Sequence, residues 1–289
     1  MIVYLNGAFL PAEQACLSPM DRGFLFADGV YEVIPSYQGR FFLFDEHIDR
    51  LRRSLREIRM PEPQPDRGWK ETLTELLERN PGADRAVYLQ LTRGTAPRDH
   101  AFPDGATATV FASVSPIPIP TEEFFRHGVA AMTLPDQRWG RCDIKSIALL
   151  ANVLARQEAV ERGAVEAVLL REGWLTEGAA ANAFVVIGGT VLTPPLGPNI
   201  LPGVTRQFLL AALRAEGWAC REEPVSETDL RAADEVWLTS STKDVLPVTH
   251  LDGRPVGDGR PGAAWKRALA IFHLARDRAM AAAGTGANA

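Results

Sequence analysis

The sequence predicts a mixed α/β (α+β) fold in two domains, and three observations carry that expectation. Segments that alternate apolar and polar residues are interleaved with segments whose apolar residues recur at helical spacing. Pro116, Pro118 and Pro120 interrupt the chain; alternate prolines remove backbone donors and fix φ, so 115–120 reads as a stiff extended linker. The 289 residues, 46% of them hydrophobic, can bury one large core or two ordinary ones. The expected division is an N-terminal domain over 1–115, a linker over 116–121, a larger C-terminal domain over 122–280 and a flexible tail over 281–289.

In order, Ile2 to Leu5 and Ala8 to Leu10 alternate around Asn6-Gly7, a pair that tolerates positive φ and closes a hairpin. Residues 29–44 alternate again, with Gln38-Gly39 as the turn. Asp45 reads as an N-cap, and Ile48, Leu51, Leu55 and Ile58 form a helical face that stops before Pro61. A second helix is expected from Trp69 to Glu78, ended by Asn80-Pro81-Gly82, then strands from Arg85 to Thr92 and Thr107 to Ser115. Past the prolines come a strand near Val129 to Thr133, a long helix from Ile147 to Arg162, and hairpins from Glu166 to Thr193 turned by Gly173 and Gly188-Gly189. A helix from Val204 to Ala215, a strand from Glu235 to Thr239, and a helix from Ala263 to Met280 with Trp265, Leu269 and Phe272 on one face complete the reading.

A net charge of −5 from intermixed acids and bases provides no basic stripe for a nucleic-acid backbone, so a small-molecule partner is expected. No apolar run reaches membrane-spanning length and the N-terminus lacks a secretory pattern, which makes the cytoplasm the default location. Cys16, Cys142 and Cys220 are odd in number and widely spaced, indicating neither a disulfide framework nor a zinc knuckle. His47 lies among Asp45, Glu46 and Asp49, yet residues one or two apart do not share a helix face, so no metal is expected.

Five segments carry residues suited to chemistry. Lys145 stands in Asp143-Ile144-Lys145-Ser146-Ile147, where apolar neighbours and the start of the expected helix both disfavour an ammonium; it is either a Schiff-base nucleophile or a lysine reaching to water past an apolar stem. Glu177 opens a run of small residues, Gly178 to Ala181, before Asn182; small side chains let a flat ring approach, and a carboxylate there can pair with a ring nitrogen. Leu201-Pro202-Gly203-Val204-Thr205-Arg206 opens a helix, whose first N–H groups suit a phosphate. Thr239-Ser240-Ser241-Thr242 offers hydroxyls at a strand end. Arg98 and His100 lie in a loop held between Gly94 and Pro103, where a guanidinium fork could take a substrate carboxylate. Spacing alone does not choose among Arg50, Arg52, Arg53 and Arg56 on one helix.

Together, in their order and spacing, these segments resemble the branched-chain and D-amino-acid aminotransferase family, the fold-type IV pyridoxal 5′-phosphate enzymes, from residue 1 to about 275. The resemblance implies a small N-terminal α/β domain, a larger C-terminal domain with a barrel-like sheet, a cofactor between them, and a homodimer in which the 98–100 loop reaches the neighbouring subunit. It implies that Lys145 holds the cofactor and shuttles the proton at the substrate Cα, and that Glu177 partners the pyridine nitrogen. It further implies that Arg50, Val204, Thr205 and Ser241 contact the phosphate, with Arg138 and Ser240 in the surrounding network, Asn182 near the ring and Leu201 against it. Tyr31, Arg98 and His100 resemble the substrate-carboxylate trap of the D-specific members, which implies transamination between D-amino acids of the alanine or glutamate type and 2-oxo acids. Branched-chain L-amino acid transamination, an aminodeoxychorismate-type lyase, and a structural dimer with a decayed site are the alternatives on the same scaffold. Ala179, Ala180 and Ala181 depart from the serines of D-specific members.

Overall fold

A computed structural model describes residues 1–63, 65–118 and 121–285; Ile119 and Pro120 of the expected linker, and residues 286–289 of the expected tail, lie outside the described residues. The chain forms two compact units, the first comprising Met1–Pro118 and Ile144–Ala148 and the second the rest.

In the first unit, β1 (Ile2–Leu5), β2 (Ala8–Pro11), β3 (Gly29–Tyr37), β4 (Arg40–Phe41), β5 (Asp84–Thr92) and β6 (Thr109–Pro116) form one antiparallel sheet in the order β2-β1-β6-β5-β3-β4. The two predicted hairpin turns are present, with φ of 48° and 96° at Asn6-Gly7 and 50° and 77° at Gln38-Gly39. The helices are α1 (Arg22–Phe26), α2 (Phe44–Glu57) and α3 (Gly68–Glu78). Leu43, in the left-handed region, is the N-cap of α2; Asp45 falls in the first turn, where a carboxylate still complements the helix dipole. Ile48, Leu51 and Leu55 of α2 and Leu73, Leu76 and Leu77 of α3 join Ile34, Val87, Leu89 and Leu91 of the sheet in one core. Each such burial contributes roughly 1.5–3 kcal/mol before entropy is counted.

In the second unit, α4 (Glu122–His127) leads into β7 (Val129–Pro135), followed by α5 (Leu150–Glu161), β8 (Glu166–Arg171), β9 (Trp174–Gly178), β10 (Asn182–Ile187) and β11 (Thr190–Thr193). Next come α6 (Val204–Ala215), β12 (Cys220–Glu222), α7 (Glu227–Arg231), β13 (Glu235–Ser240), β14 (Asp244–Leu251), β15 (Arg254–Pro255) and α8 (Ala263–Thr285). The sheet runs β12-β11-β10-β13-β14-β7-β8-β9, with β15 beside β14. A flat sheet would hold β9 and β10 five strand spacings apart, roughly 24 Å. Yet Gly178 ends β9 and Asn182 begins β10, and four residues of chain span at most about 14 Å. The sheet must therefore curl until its β9 edge meets β10, and Gly178 N–H donates to the Ala181 carbonyl at that closure.

Two helices depart from their predicted limits. The helix expected from Ile147 starts at Leu150. Tyr31 N–H donates to the Lys145 carbonyl, Ile147 N–H donates to the Gly29 carbonyl, and Ser146 bridges Val30, so this segment spends its backbone groups on β3 and has none for a helical turn. Helix α8 continues past Met280 to Thr285; Trp265 and Phe272 are buried on it as expected, but the third inward position is Ala268, with Leu269 half-buried.

Candidate active site

In the first unit, Lys145 stands on the extended segment beside β3, ahead of the helix that begins at Leu150. Its N–H donates to Ser54 Oγ of α2 at 3.2 Å, its carbonyl accepts from Tyr31 at 3.0 Å, and Nζ lies 4.2 Å from the centroid of the Tyr31 ring. Backbone anchors on both sides leave the amine as the moving part, over a π face that favours a cation.

Arg50 is the buried one of the four clustered arginines. Its Nε and Nη2 donate to the two oxygens of Glu32 at 2.8 and 2.7 Å, and His47 Nδ1 donates to the same carboxylate at 2.8 Å. Glu32 is fully buried. Burial alone would raise its pKa, but the charge and hydrogen bonds of Arg50, helped by His47, hold it at about 2. Burial pushes His47 down, so it stays neutral and donates one N–H to a carboxylate. His47 therefore serves Arg50 through Glu32. Sequence periodicity could not show this, because Glu32 lies on a strand and its partners on the next helix.

Arg98 and His100 are exposed. Each lies 5.3 Å from the Phe26 ring, the arginine through its guanidinium carbon, and among the described residues no hydrogen bond or ring contact joins either to Tyr31. Tyr31 instead stacks against Tyr88, 5.6 Å between centroids.

In the second unit, Glu177 sits buried near the end of β9, within the stretch expected to form hairpins. Arg138 Nη1 donates to Glu177 Oε1; Asn182 Nδ2 and the Leu201 N–H donate to Oε2 at 2.8 and 3.1 Å. Asn182 also donates to the Leu201 carbonyl at 2.8 Å, so one amide ties β10 to the loop before α6 and to the carboxylate. Asp136, which the sequence reading missed, holds Arg138 by two side-chain hydrogen bonds of 2.9 Å and accepts from Thr176 Oγ1 at 3.0 Å. Its only signal was an acid two residues before an arginine. One cation is thus shared by two carboxylates. Burial raises Glu177 to about 7 against the pull of Arg138, whereas Asp136, also penalised by burial, is held low by its hydrogen bonds and charge pairing with Arg138.

Gly203 is the N-cap of α6, and no side chain caps the helix. Val204 and Thr205 are buried in its first turn. The neighbouring Arg206 is 1% exposed and donates to the Pro194 carbonyl at 2.8 Å and to Glu222 at 3.0 Å, anchoring the helix start from below. Asn182 pairs across β10–β13 with Thr239. The Thr239 and Ser240 hydroxyls are buried without a hydrogen-bond partner among the described residues, and Ser241 follows in the turn to β14. Buried hydroxyls without partners are costly, and here they stand at a strand end on the sheet that α6 covers. Within the second unit, a buried acid, an uncapped helix start and orphaned hydroxyls fit a phosphorylated pyridine.

Residues 29–251 match the family described as amino-transferase class IV. The D-alanine aminotransferase of Bacillus licheniformis is 42% identical, over 91% of this chain and 92% of that one. A D-alanine aminotransferase of Listeria monocytogenes is 39% identical, over 91% of each. Among solved structures, the branched-chain amino acid aminotransferase from Escherichia coli aligns with TM-score 0.85 at 26% identity, over 94% of this chain and 92% of that one. A hypothetical aminotransferase from Mycobacterium tuberculosis in a PLP-bound form aligns with TM-score 0.84 at 25% identity, over 96% and 99%.

Proposed function

Since the chain belongs to the class IV aminotransferases, which depend on pyridoxal 5′-phosphate, we propose that it moves the amino group between D-amino acids of the alanine or glutamate type and 2-oxo acids. The observation that carries the D-amino acid reading is the 42% identity to a D-alanine aminotransferase over nine tenths of both chains. When bound, the cofactor supplies an electron-withdrawing ring and a carrier for the amino group.

The chain's own residues divide the remaining work. Lys145 holds the cofactor and moves the proton at the substrate Cα, its backbone fixed by Ser54 and Tyr31 so that only the side chain swings. Glu177 takes the ring nitrogen; an acid that titrates near 7 in its buried setting ionises readily beside a protonated pyridine. Arg138 and Asn182 aim that carboxylate, and Leu201 fixes its second oxygen. Arg50 meets the phosphate with its geometry already set by Glu32, which spares the rotamer entropy of a free arginine. The amides of Val204 and Thr205 and the hydroxyl of Ser241 complete the phosphate contacts, with Ser240 in the surrounding network. Tyr31, Arg98 and His100 take the substrate carboxylate.

A homodimer belongs to the same reading. It is supported by α5, whose solvent face carries Leu150, Val153, Leu154 and Val160, between 51% and 72% exposed, while Ala159 is its one buried residue. An apolar outer stripe at helical spacing is what a second copy would cover. The cytoplasm is the proposed compartment, consistent with three free cysteines; among the described residues no helix is long and apolar enough to cross a membrane.

A branched-chain L-amino acid transaminase is the second reading, favoured by the solved structure from Escherichia coli. The visible spectrum of the holoenzyme, recorded before and after D-alanine and in parallel with L-leucine, separates them. Bleaching of the cofactor band by D-alanine alone supports the D-amino acid reading, and bleaching by L-leucine alone overturns it. Borohydride reduction followed by peptide mapping tests the lysine; label on any residue other than Lys145 removes it from its role.

A further inference from the structure

We propose that Arg22 is a positioning residue for substrate-carboxylate recognition, holding the loop that presents Arg98 and His100 through a relay of Arg22, Asp28 and Arg93. The inference rests on the reading of that loop as the carboxylate anchor.

Arg22 is 3% exposed. It spends its guanidinium on three consecutive carbonyls of the loop: Nη1 donates to Asp99 at 2.5 Å and Ala101 at 3.2 Å, and Nη2 donates to His100 at 3.3 Å. Nε donates to Asp28 Oδ2 at 2.8 Å. Arg93 takes the same carboxylate from the other side, with Nε on Oδ2 at 2.8 Å and Nη2 on Oδ1 at 3.0 Å. Its N–H also donates to the Asp28 carbonyl at 3.1 Å. The far end of the loop is pinned by Phe102, whose ring lies 3.8 Å from the Arg93 guanidinium and 4.9 Å from that of Arg59.

Side chains and backbone of this loop are treated in opposite ways. The side chains of Arg98, Asp99 and His100 face solvent, while the carbonyls of Asp99 and His100 are locked onto a buried cation. Burying a guanidinium is expensive unless it is fully paired, and pairing it with the backbone of an exposed loop gives no core packing in return. What it gives is a fixed backbone beneath two presented side chains, so less order has to be imposed when a ligand binds. Phe26, on the same short helix as Arg22, sits 4.9 Å from the Arg22 guanidinium and 5.3 Å from both the Arg98 guanidinium and the His100 ring. Asp28 lies just before Gly29, the first residue of β3, so the relay ties the loop to the sheet of the subunit that presents it.

The test compares Arg22→Lys with Arg98→Ala as holoenzymes. Lysine keeps a charge for Asp28 but lacks the planar fork that reaches three carbonyls. Arg22→Lys should speed hydrogen exchange at the amides of 98–102 and raise KM for D-alanine about tenfold with kcat changed less than about twofold, the loss of roughly one charged hydrogen bond. Arg98→Ala should raise KM while leaving that exchange unchanged, and the double variant should raise KM by less than the product of the two single effects, the remainder acting through His100. If Arg22→Lys does not accumulate folded, Asp28→Asn removes the shared carboxylate at constant shape and should give the same pattern. No KM effect from Arg98→Ala overturns the reading of the loop. A KM effect from Arg98→Ala, with exchange and KM unmoved by Arg22→Lys, overturns the relay, as does a parallel fall in kcat and cofactor content.

Discussion

A Cβ on Gly203 would fall 1.9 Å from Asn182 Oδ1. No side chain rotation relieves this, because the Asn182 amide is held by Glu177 and by the Leu201 carbonyl. Gly203→Ala should therefore displace Asn182, loosen both the Glu177 carboxylate and the start of α6, and weaken pyridoxal phosphate binding by at least about tenfold, a loss of one to two hydrogen bonds. Equilibrium dialysis of the cofactor checks it; unchanged affinity would mean that the helix start can shift without disturbing the Asn182 bridge.

Glu32→Gln removes the carboxylate that orders Arg50 and His47. A folded-state pKa held at about 2 against an ordinary value of 4.5 means stability that is present above pH 4.5 and is lost as pH falls toward 2. The variant should cost about 3 kcal/mol near neutral pH, and the gap should narrow to about 1.5 kcal/mol by pH 3 and close only below about pH 2, where the wild-type carboxyl is protonated too. Urea unfolding at pH 7 and pH 3 reads the difference, and a gap of equal size at both would defeat the argument.

Glu177→Gln should act in the opposite sense on the cofactor-free protein. With its pKa raised from 4.5 to about 7, Glu177 leaves stability complete below pH 4.5 and lowers it as pH rises through 7. The amide variant, which does not ionise, should gain about 2 kcal/mol relative to wild type between pH 5 and pH 8. It should also lose transaminase activity, the usual exchange of function for stability at a buried charge. Thermal unfolding at the two pH values decides, and a relative stability that does not rise with pH contradicts the prediction.

Leu154→Glu places a charge in the middle of the exposed stripe of α5. If a second copy covers this face, sedimentation should show a shift from dimer to monomer at micromolar concentration, with the secondary structure intact. A variant that sediments as the wild type would locate the interface elsewhere.

The α/β class was legible because strand alternation and helical spacing are local, and the hairpin turns because Asn-Gly and Gln-Gly accept positive φ wherever they stand. The small-residue run after Glu177 and the Leu-Pro-Gly start of α6 were legible for the same reason, since their meaning lies in side-chain size and in the unpaired amides of a helix start. The beginning of α5 was misplaced by three residues, because apolar spacing at Ile147 is indistinguishable from helix until β3 competes for its backbone.

By itself, then, the sequence determined the kind of chain this is: alternating strands and amphipathic helices, a lysine and an acid in suitable local company, and a resemblance strong enough to name the aminotransferase family. Tertiary structure alone supplied the reason that Arg50, the one of four arginines the resemblance singled out, turns inward: it meets Glu32 on the adjacent strand. It alone set Asp136 against Arg138 and Glu177, and Arg22 against the carbonyls of 99–101. These are pairings between residues 18 to 79 positions apart, or between neighbours whose charge becomes meaningful only once water is excluded. Periodicity and spacing carry no information about either, because the energy of a buried ion pair depends on distance and dielectric, which exist only after the chain has folded.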